Sequence, residues 1–233
     1  TDAVGGKGYR QIDINLGCPF PMIAGKHKGA GMLLYPAQVA EVLAPIAEYP
    51  EIQFSLKMRL GWENASECMV LVELLNTLRL SRIALHARTG KQQYKGHPDL
   101  EAFQGFYELC QHPLYYNGDI ESLSDIRQIL IRFPLLKGVF IGRGLLSSPL
   151  LAKEFKGNET FLPEQRMSIY FAFHEELFSA YSQVLQGETQ LLVKMKTLWE
   201  YFLPETDRKL LKRIKKSTRL QQYTESVKAI FTS

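Results

Sequence analysis

The sequence predicts an α/β fold, in which part of a (β/α)8 TIM barrel with about five β/α units precedes a C-terminal helical bundle. Up to residue 157, short apolar runs alternate with helical patterns, and this alternation is typical of parallel βαβ units. Beyond Gly157, only long helical patterns continue. We therefore predict two domains: a C-terminal part of a β/α barrel over 1–157 and a helical domain over 163–233.

The predicted elements follow from these patterns in chain order. Strands are expected at 11–16, 52–58, 82–86, 114–117 and 138–141, where short β-rich apolar runs occur. Helices are expected between and after them at 36–48, 65–78, 99–111, 122–133 and 145–155. Four more are predicted at 163–186, 189–202, 206–217 and 220–231. A closed barrel needs eight units in roughly 250 residues, so we expect about three units to lie before Thr1.

The composition is that of an ordinary globular protein, with 233 residues, 45% hydrophobic and 22% charged. No apolar run approaches the length needed to cross a bilayer, and the first ten residues lack a secretory signal pattern. Three cysteines with no close pair favour a reducing cytoplasm. Because the histidines and cysteines lack metal-ligand spacing, we expect no metal site.

The first predicted strand runs directly into a cysteine. Asp13 and Asn15 share one face of this strand, and Cys18 follows between Gly17 and Pro19. Reacting groups collect at the carboxyl ends of parallel strands. Cysteine is most often a small buried hydrophobe, but the flanking glycine and proline favour a thiol held at a turn. Cys18 is therefore the candidate reactive group.

The other candidate residues also lie where predicted strands end. Lys57 and Arg59 end the second strand, His86 and Arg88 the third, and two glycine turns the fourth and fifth. A lysine at the end of an apolar strand is costly to bury unless it meets an anion, such as a reduced flavin, or pairs with a carboxylate. The turns, at 117–120 and 142–144, each open a helix and are candidates for phosphate binding, although either alone is more often an ordinary turn.

The positive charge is concentrated near the C-terminus. From Glu188 onward there are ten Lys and Arg against five Asp and Glu, within a total net charge of +4. The densest segment, 208–216, places Leu210, Leu211 and Ile214 on one helical stripe and cations on the other faces. A solvated helix face and a phosphate-binding surface are both compatible with this pattern.

Six segments, in order and spacing, resemble the motifs of the tRNA-dihydrouridine synthase family. They are DINLGCP (13–19), GAGMLL (29–34), KMR (57–59), HART (86–89), NGDI (117–120) and GRG (142–144). The resemblance extends through the helical tail, including KMKTLW at 194–199. It implies an FMN-dependent β/α barrel with a helical RNA-recognition domain, which reduces uridine in tRNA to 5,6-dihydrouridine with electrons from NADPH.

The resemblance also implies a role for each candidate residue. Cys18 would be the catalytic general acid, and Asn15 would hold the uracil edge. Substrate would further contact Arg88, Lys91 and Lys95, along the path by which tRNA approaches. The FMN contacts would be Lys57, His86, Asn117, Gly118, Asp119, Gly142 and Arg143. The full-length protein would be monomeric, would bind tRNA and would not bind a membrane or a metal.

Two alternatives stay open at this point. Another FMN barrel, of the dihydroorotate dehydrogenase type, also places a Cys-Pro after a strand asparagine, although the basic helical tail argues against it. The family's first strands, with their Ala-Pro-Met-type flavin contact, have no counterpart in this sequence. The second alternative is therefore a truncated, non-catalytic RNA-binding fragment that does not hold FMN.

Overall fold

A computed structural model describes residues 8–232. The contacts between its residues divide the chain into two compact units. The sheet unit contains the chain up to Ile120 together with Ser124–Ile141, and the helical unit contains Glu121–Leu123 and the chain from Gly142 onward. The predicted division differs in that it assigns 142–157 to the barrel, whereas these residues belong to the helical unit.

The sheet unit contains five parallel strands in the order β1 to β5, which confirms the predicted α/β class and agrees with part of a β/α barrel. The strands are β1 (Gln11–Leu16), β2 (Gln53–Gly61), β3 (Leu80–Thr89), β4 (Leu114–Asn117) and β5 (Gly138–Phe140). β2 and β3 extend past their predicted ends, because Gly61 continues the pairing with Thr89. The predictions for β1 and β4 match at both ends.

The sheet-unit helices confirm the predicted alternation and differ mainly where proline intervenes. They are α1 (Pro21–Ala24), α2 (Pro36–Leu43), α3 (Glu67–Thr77), α4 (Leu100–Leu109) and α5 (Leu123–Arg132), with 3-10 turns at Gly29–Leu34 and Ala44–Glu48. The helix predicted over 36–48 changes to 3-10 geometry after Leu43, because Pro45 has no N–H to continue the α-helix. The helices cover one face of the sheet, where Leu56, Met58 and Ile83 are fully buried.

The helical unit has its own core. Its helices are α6 (Arg143–Ser147), α7 (Leu151–Gly157), α8 (Pro163–Val184), α9 (Gly187–Leu198), α10 (Arg208–Lys216) and α11 (Leu220–Phe231). The helix predicted over 145–155 is interrupted near Pro149, which again removes a backbone donor. At the centre, Trp199 Nε1 donates to Tyr223 Oη at 3.0 Å, and Tyr223 Oη lies 2.7 Å from His174 Nε2. Within residues 8–232, no helix has the length and apolarity required to span a bilayer.

Candidate active site

The register of the parallel strands brings the candidate side chains onto one face of the sheet. Asn15 pairs with Lys57, Arg59 pairs with His86, and His86 pairs with Asn117. Side chains at paired positions of parallel strands point to the same face, so these five form a polar row opposite the helix-covered face. The row lies toward the carboxyl ends of the strands, where the sequence placed it.

Cys18 lies at a tight turn whose close approach to the 29–34 segment requires a glycine at position 29. The carbonyl of Cys18 accepts a hydrogen bond from the N–H of Ala30 at 3.0 Å, which joins the turn to the 29–34 segment. Gly29 has a φ of +56°, and a Cβ at this position would lie 2.7 Å from the Cys18 carbonyl oxygen and 2.9 Å from its Cβ. Gly29 therefore lets the two segments approach and determines where the thiol lies.

Asn15 also supports this turn. Its Oδ1 accepts a hydrogen bond from the Gly17 N–H at 2.9 Å. This hydrogen bond fixes the orientation of the Asn15 side-chain amide, because its oxygen must face the backbone donor. The Nδ2 group remains as a hydrogen-bond donor for a ligand carbonyl.

Arg59 connects the cysteine turn to the loop after β3. The guanidinium is 1% exposed and donates to three carbonyl oxygens: Gly17 at 3.1 Å, Thr89 at 2.8 Å and Gln93 at 2.8 Å. It also lies 5.5 Å from the centre of the Tyr94 ring. A planar group with five N–H donors can join several backbone segments at once, and here it fixes Gly17 beside Cys18.

Lys57 is a partly buried cation on the same face. Burial lowers the pKa of its ammonium group, and the neighbouring charge of Arg59 lowers it further, while Asp13 opposes the shift. Within residues 8–232, no carboxylate forms an ion pair with Lys57. A desolvated cation without a counter-ion favours binding of an anionic or electron-rich ligand.

His86 is a neutral histidine surrounded by cations. Burial first, and then the charges of Arg59, Lys57 and Arg88, lower the pKa of its imidazole to about 3. Its Nε2 lies 3.4 Å from Nη1 of Arg88. Because a guanidinium can only donate, Nε2 acts as the acceptor and Nδ1 carries the proton. His86 therefore offers an N–H donor at neutral pH and does not carry a positive charge.

Arg88 is almost fully buried and forms a two-point ion pair with Asp119. Nη1 donates to Oδ1 at 2.8 Å, and Nη2 donates to Oδ2. The same guanidinium donates to the carbonyls of Lys95 and Gly96, at 3.3 and 2.7 Å. Asp119 has a φ of +39°, so the pair holds an uncommon backbone conformation in the 117–120 turn. The role predicted for Arg88 in tRNA contact stays a prediction, and the structure gives this side chain a position inside the site.

The remaining predicted residues lie in different places. Asn117 Nδ2 donates to the Phe140 carbonyl at 2.9 Å, and Gly118, with a φ of +150°, passes close to the Tyr116 hydroxyl. Lys91 and Lys95 are exposed in the loop after β3, and Lys91 pairs with Glu63 at 2.6 Å. Gly142 and Arg143 begin α6 and belong to the helical unit.

From the sequence, Arg59 is a strand-end candidate without an assigned role, and Tyr94 is not singled out. Arg59 stands in the KMR segment, but its three carbonyl partners lie 30 or more positions away in the sequence, so no local pattern indicates them. Tyr94 lies in an irregular loop without periodicity. The one local sign is that Arg59 interrupts the apolar pattern of its strand, and its burial becomes visible only in the structure.

A parallel sheet that presents a cysteine turn, a desolvated cation and a neutral histidine at its carboxyl edge has the site layout of β/α-barrel enzymes. The sequence model of the dihydrouridine synthase (Dus) family matches residues 2–232. The chain belongs to this family.

Individual relatives agree with the family match. The chain is 32% identical over 139 residues to a probable tRNA-dihydrouridine synthase of Rhizobium leguminosarum, covering 59% of this chain and 44% of that protein. It is 28% identical over 161 residues to tRNA-dihydrouridine synthase B of Vibrio vulnificus, covering 67% and 50%. A probable tRNA-dihydrouridine synthase of Aquifex aeolicus is 36% identical over 149 residues, covering 62% and 46%. The chain thus spans about half the length of the curated relatives it matches.

Replacing Gly29 with alanine should destabilise the cysteine turn. The left-handed backbone costs an alanine about 1–2 kcal/mol, and the clash with Cys18 adds about 1–3 kcal/mol. Gly187→Ala is the matched control, because Gly187 has a φ of +84° and nothing within 4 Å of the added Cβ. Denaturant unfolding should show the larger loss of unfolding free energy for Gly29→Ala, and equal losses would contradict the close approach.

The same pair of variants should differ in the reactivity of Cys18. Alkylation of the 18, 68 and 110 peptides can be followed separately by mass spectrometry. Burial raises the pKa of the Cys68 thiol to about 12, so Cys68 serves as a slowly reacting internal reference. We expect Gly29→Ala to change the Cys18 alkylation rate several-fold relative to Cys68, while Gly187→Ala leaves the ratio unchanged.

The buried neutral His86 should make stability fall in acid. An unfolded histidine has a pKa near 6.5 and the folded His86 has one of about 3, so below pH 6.5 the unfolded state binds the proton more readily. Stability should therefore decrease as the pH falls from 6.5 toward 3, by up to about 1.4 kcal/mol per pH unit from this group. His86→Gln should flatten the slope, whereas His97→Gln, at an exposed position, should not.

Imidazole NMR tests the same assignment directly. The His86 resonances should stay in the neutral form, with the proton on Nδ1, as the pH is lowered to 4. Titration of His86 near pH 6.5 would contradict the burial and the cationic surroundings described above.

Proposed function

We propose that the protein containing this chain reduces uridine in tRNA to 5,6-dihydrouridine, with FMN as cofactor and NADPH as reductant. The observation that carries this proposal is the polar row together with Cys18, in a chain that matches the Dus family over residues 2–232. The relatives with this family's printed name act on tRNA, and we extend that substrate to this chain as part of the proposal.

The residues present fit a flavin at the polar row. Lys57 has no carboxylate partner among the described residues, and its partial burial favours a ligand that supplies negative charge. His86 would contribute a neutral Nδ1–H donor toward the flavin or the substrate. When bound and reduced by NADPH, FMN would supply a hydride equivalent to C6 of the uracil.

The chain's own residues would complete the reduction. The thiol of Cys18 would donate a proton to C5, so that one hydride and one proton saturate the C5=C6 bond. Asn15 Nδ2 would donate to a uracil carbonyl, because its Oδ1 is committed to Gly17. Arg59 would keep the cysteine turn in place through Gly17.

The predicted phosphate contacts are kept as part of the proposal, namely Asn117, Gly118, Asp119, Gly142 and Arg143. The side chains of Asn117 and Asp119 already have partners, so these residues would act through the shape and the N–H groups of their turn. The ion pair with Arg88 neutralises Asp119, which would otherwise repel a phosphate.

The helical unit offers a surface for tRNA phosphates on α10. Ile214 is fully buried and Leu210 and Leu211 are partly buried, so the apolar stripe faces the core. Four cations line a groove of about 410 Å³ between α10 and α11, together with three uncharged polar residues and one acid, Glu225. Its basic residues are Lys209, Lys212, Arg213 and Lys216. A concave cationic surface supports the phosphate-binding alternative over a merely solvated face.

Two observations favour a second candidate. The chain spans about half the length of its curated relatives, and the inner-face residues of β1, Asp13 and Asn15, are exposed. A binding module that holds tRNA without flavin is therefore the alternative. Flavin absorbance of the purified chain separates the two, because a colourless protein that retains tRNA supports the binding module.

Cys18→Ala should abolish most dihydrouridine formation without disturbing the fold. Loss of a positioned acid typically costs about 10²–10⁴ in rate. The measurement is dihydrouridine content of an unmodified tRNA transcript after incubation with flavin-loaded protein and NADPH. Cys110→Ala is the control and should retain activity, because Cys110 follows the end of α4 and is not part of the polar row. Near-normal turnover by Cys18→Ala would remove Cys18 from the mechanism.

Replacing Lys212, Lys215 and Lys216 together with glutamine should weaken tRNA binding and its salt dependence. Each lost phosphate contact lowers the slope of log K against log salt by about 0.7–0.9, so a change of roughly 2 is expected. Helicity should persist, because glutamine is nearly as good a helix former as lysine. Lys156→Gln, on α7, is the control, and superimposable salt slopes for the triple variant would exclude α10 from tRNA binding.

A further inference from the structure

The segment 20–28, which we term the cysteine-side lobe, is an exposed extension that begins two residues after Cys18. It contains α1 and the turn that follows. Phe20 is 66% exposed and Met22 is 81% exposed, although both are large apolar side chains. Within the lobe, only Ala24 is buried. Such exposure on a segment adjoining a reactive residue indicates a surface that contacts a ligand.

The lobe is internally hydrogen-bonded and packs against the neighbouring segment 29–35. The N–H groups of Ile23 and Ala24 donate to the Phe20 carbonyl, each at 2.9 Å. A Cβ on Gly31 would lie 2.4 Å from the Ala24 carbonyl oxygen. The absence of a side chain at Gly31 therefore lets α1 pack closely against the 29–34 segment. At the far end, the His27 ring stacks on Tyr35 with ring centres 4.2 Å apart. The backbone that carries the exposed side chains is therefore ordered before binding, so that binding does not have to order it.

The charge of the lobe has a single sign. Lys26 and Lys28 are exposed, and neither forms an ion pair within residues 8–232. Between Asp13 and Glu41 the sequence contains no acidic residue. The lobe therefore combines an exposed aromatic ring with uncompensated cations, which is the combination that binds single-stranded nucleic acid by stacking and phosphate contact.

We propose that the cysteine-side lobe binds the nucleotides flanking the target uridine, with Phe20 stacking on a neighbouring base and Lys26 and Lys28 contacting phosphates. This inference rests on the proposed function, because the target base must leave its stack to reach Cys18. The unstacked neighbour then exposes an apolar face beside the site. Phe20 covers that face and so favours the extracted state.

The test measures binding of a fluorescently labelled, unmodified tRNA transcript to the whole chain by anisotropy at several salt concentrations. Phe20→Ala should raise Kd by roughly 10-fold, within the range for a lost base stack, and leave the salt slope unchanged. Phe20→Trp should restore binding. Val70→Ala is the matched control, because Val70 is equally exposed, at 66%, on α3, and it should bind like the wild type.

The lysines give an independent signature. Lys26→Gln with Lys28→Gln should reduce the salt slope by roughly 1.4–1.8, from about 0.7–0.9 per contact. If the wild type binds tRNA while the lobe variants match Val70→Ala, the lobe does not contact RNA, so this inference is overturned while the proposed function is not. If the wild type binds no tRNA, both the proposed function and this inference are overturned.

Discussion

The ion pair between Arg88 and Asp119 is the interaction on which the rest of the site depends. Arg88, Arg59 and Lys57 share the inner face of the sheet, and such a group of cations is costly to hold away from water. Asp119 neutralises one of them, and in return Arg88 holds the carboxylate and the 95–96 carbonyls in place. Burial, together with the positive potential that remains, keeps His86 neutral, and that potential favours a ligand that carries negative charge.

Arg59 and Arg88 each hold a different part of the backbone around the site. Arg59 donates to the backbone on both sides of the site, at Gly17 and in the loop after β3. Arg88 organises the turn after β4 through Asp119. Because both guanidinium groups are buried and donate to several acceptors of the chain, they contribute fixed geometry, and Lys57 is left as a cation available to a ligand.

The strand alternation and the position of the site could be predicted from the sequence, because apolar periodicity and strand-end residues are local signals. β1 and β4 have the predicted bounds, whereas β2 and β3 were predicted too short. Arg59 and Arg88 interrupt the apolar pattern, and nothing local shows that they are buried. The pairing of Arg88 with Asp119 was also missed, because the partners are 31 positions apart and the contact depends on a positive φ at Asp119.

The close approach at Gly29 separates the scaffold of the cysteine turn from its chemistry. The atoms that a side chain at position 29 would meet are the carbonyl oxygen, Cα and Cβ of Cys18. Alanine and serine possess the same three atoms, so the steric requirement for glycine does not depend on the thiol. A protein of this architecture with another residue in place of the cysteine would therefore still need the glycine, and its turn would keep the same backbone conformation without the thiol.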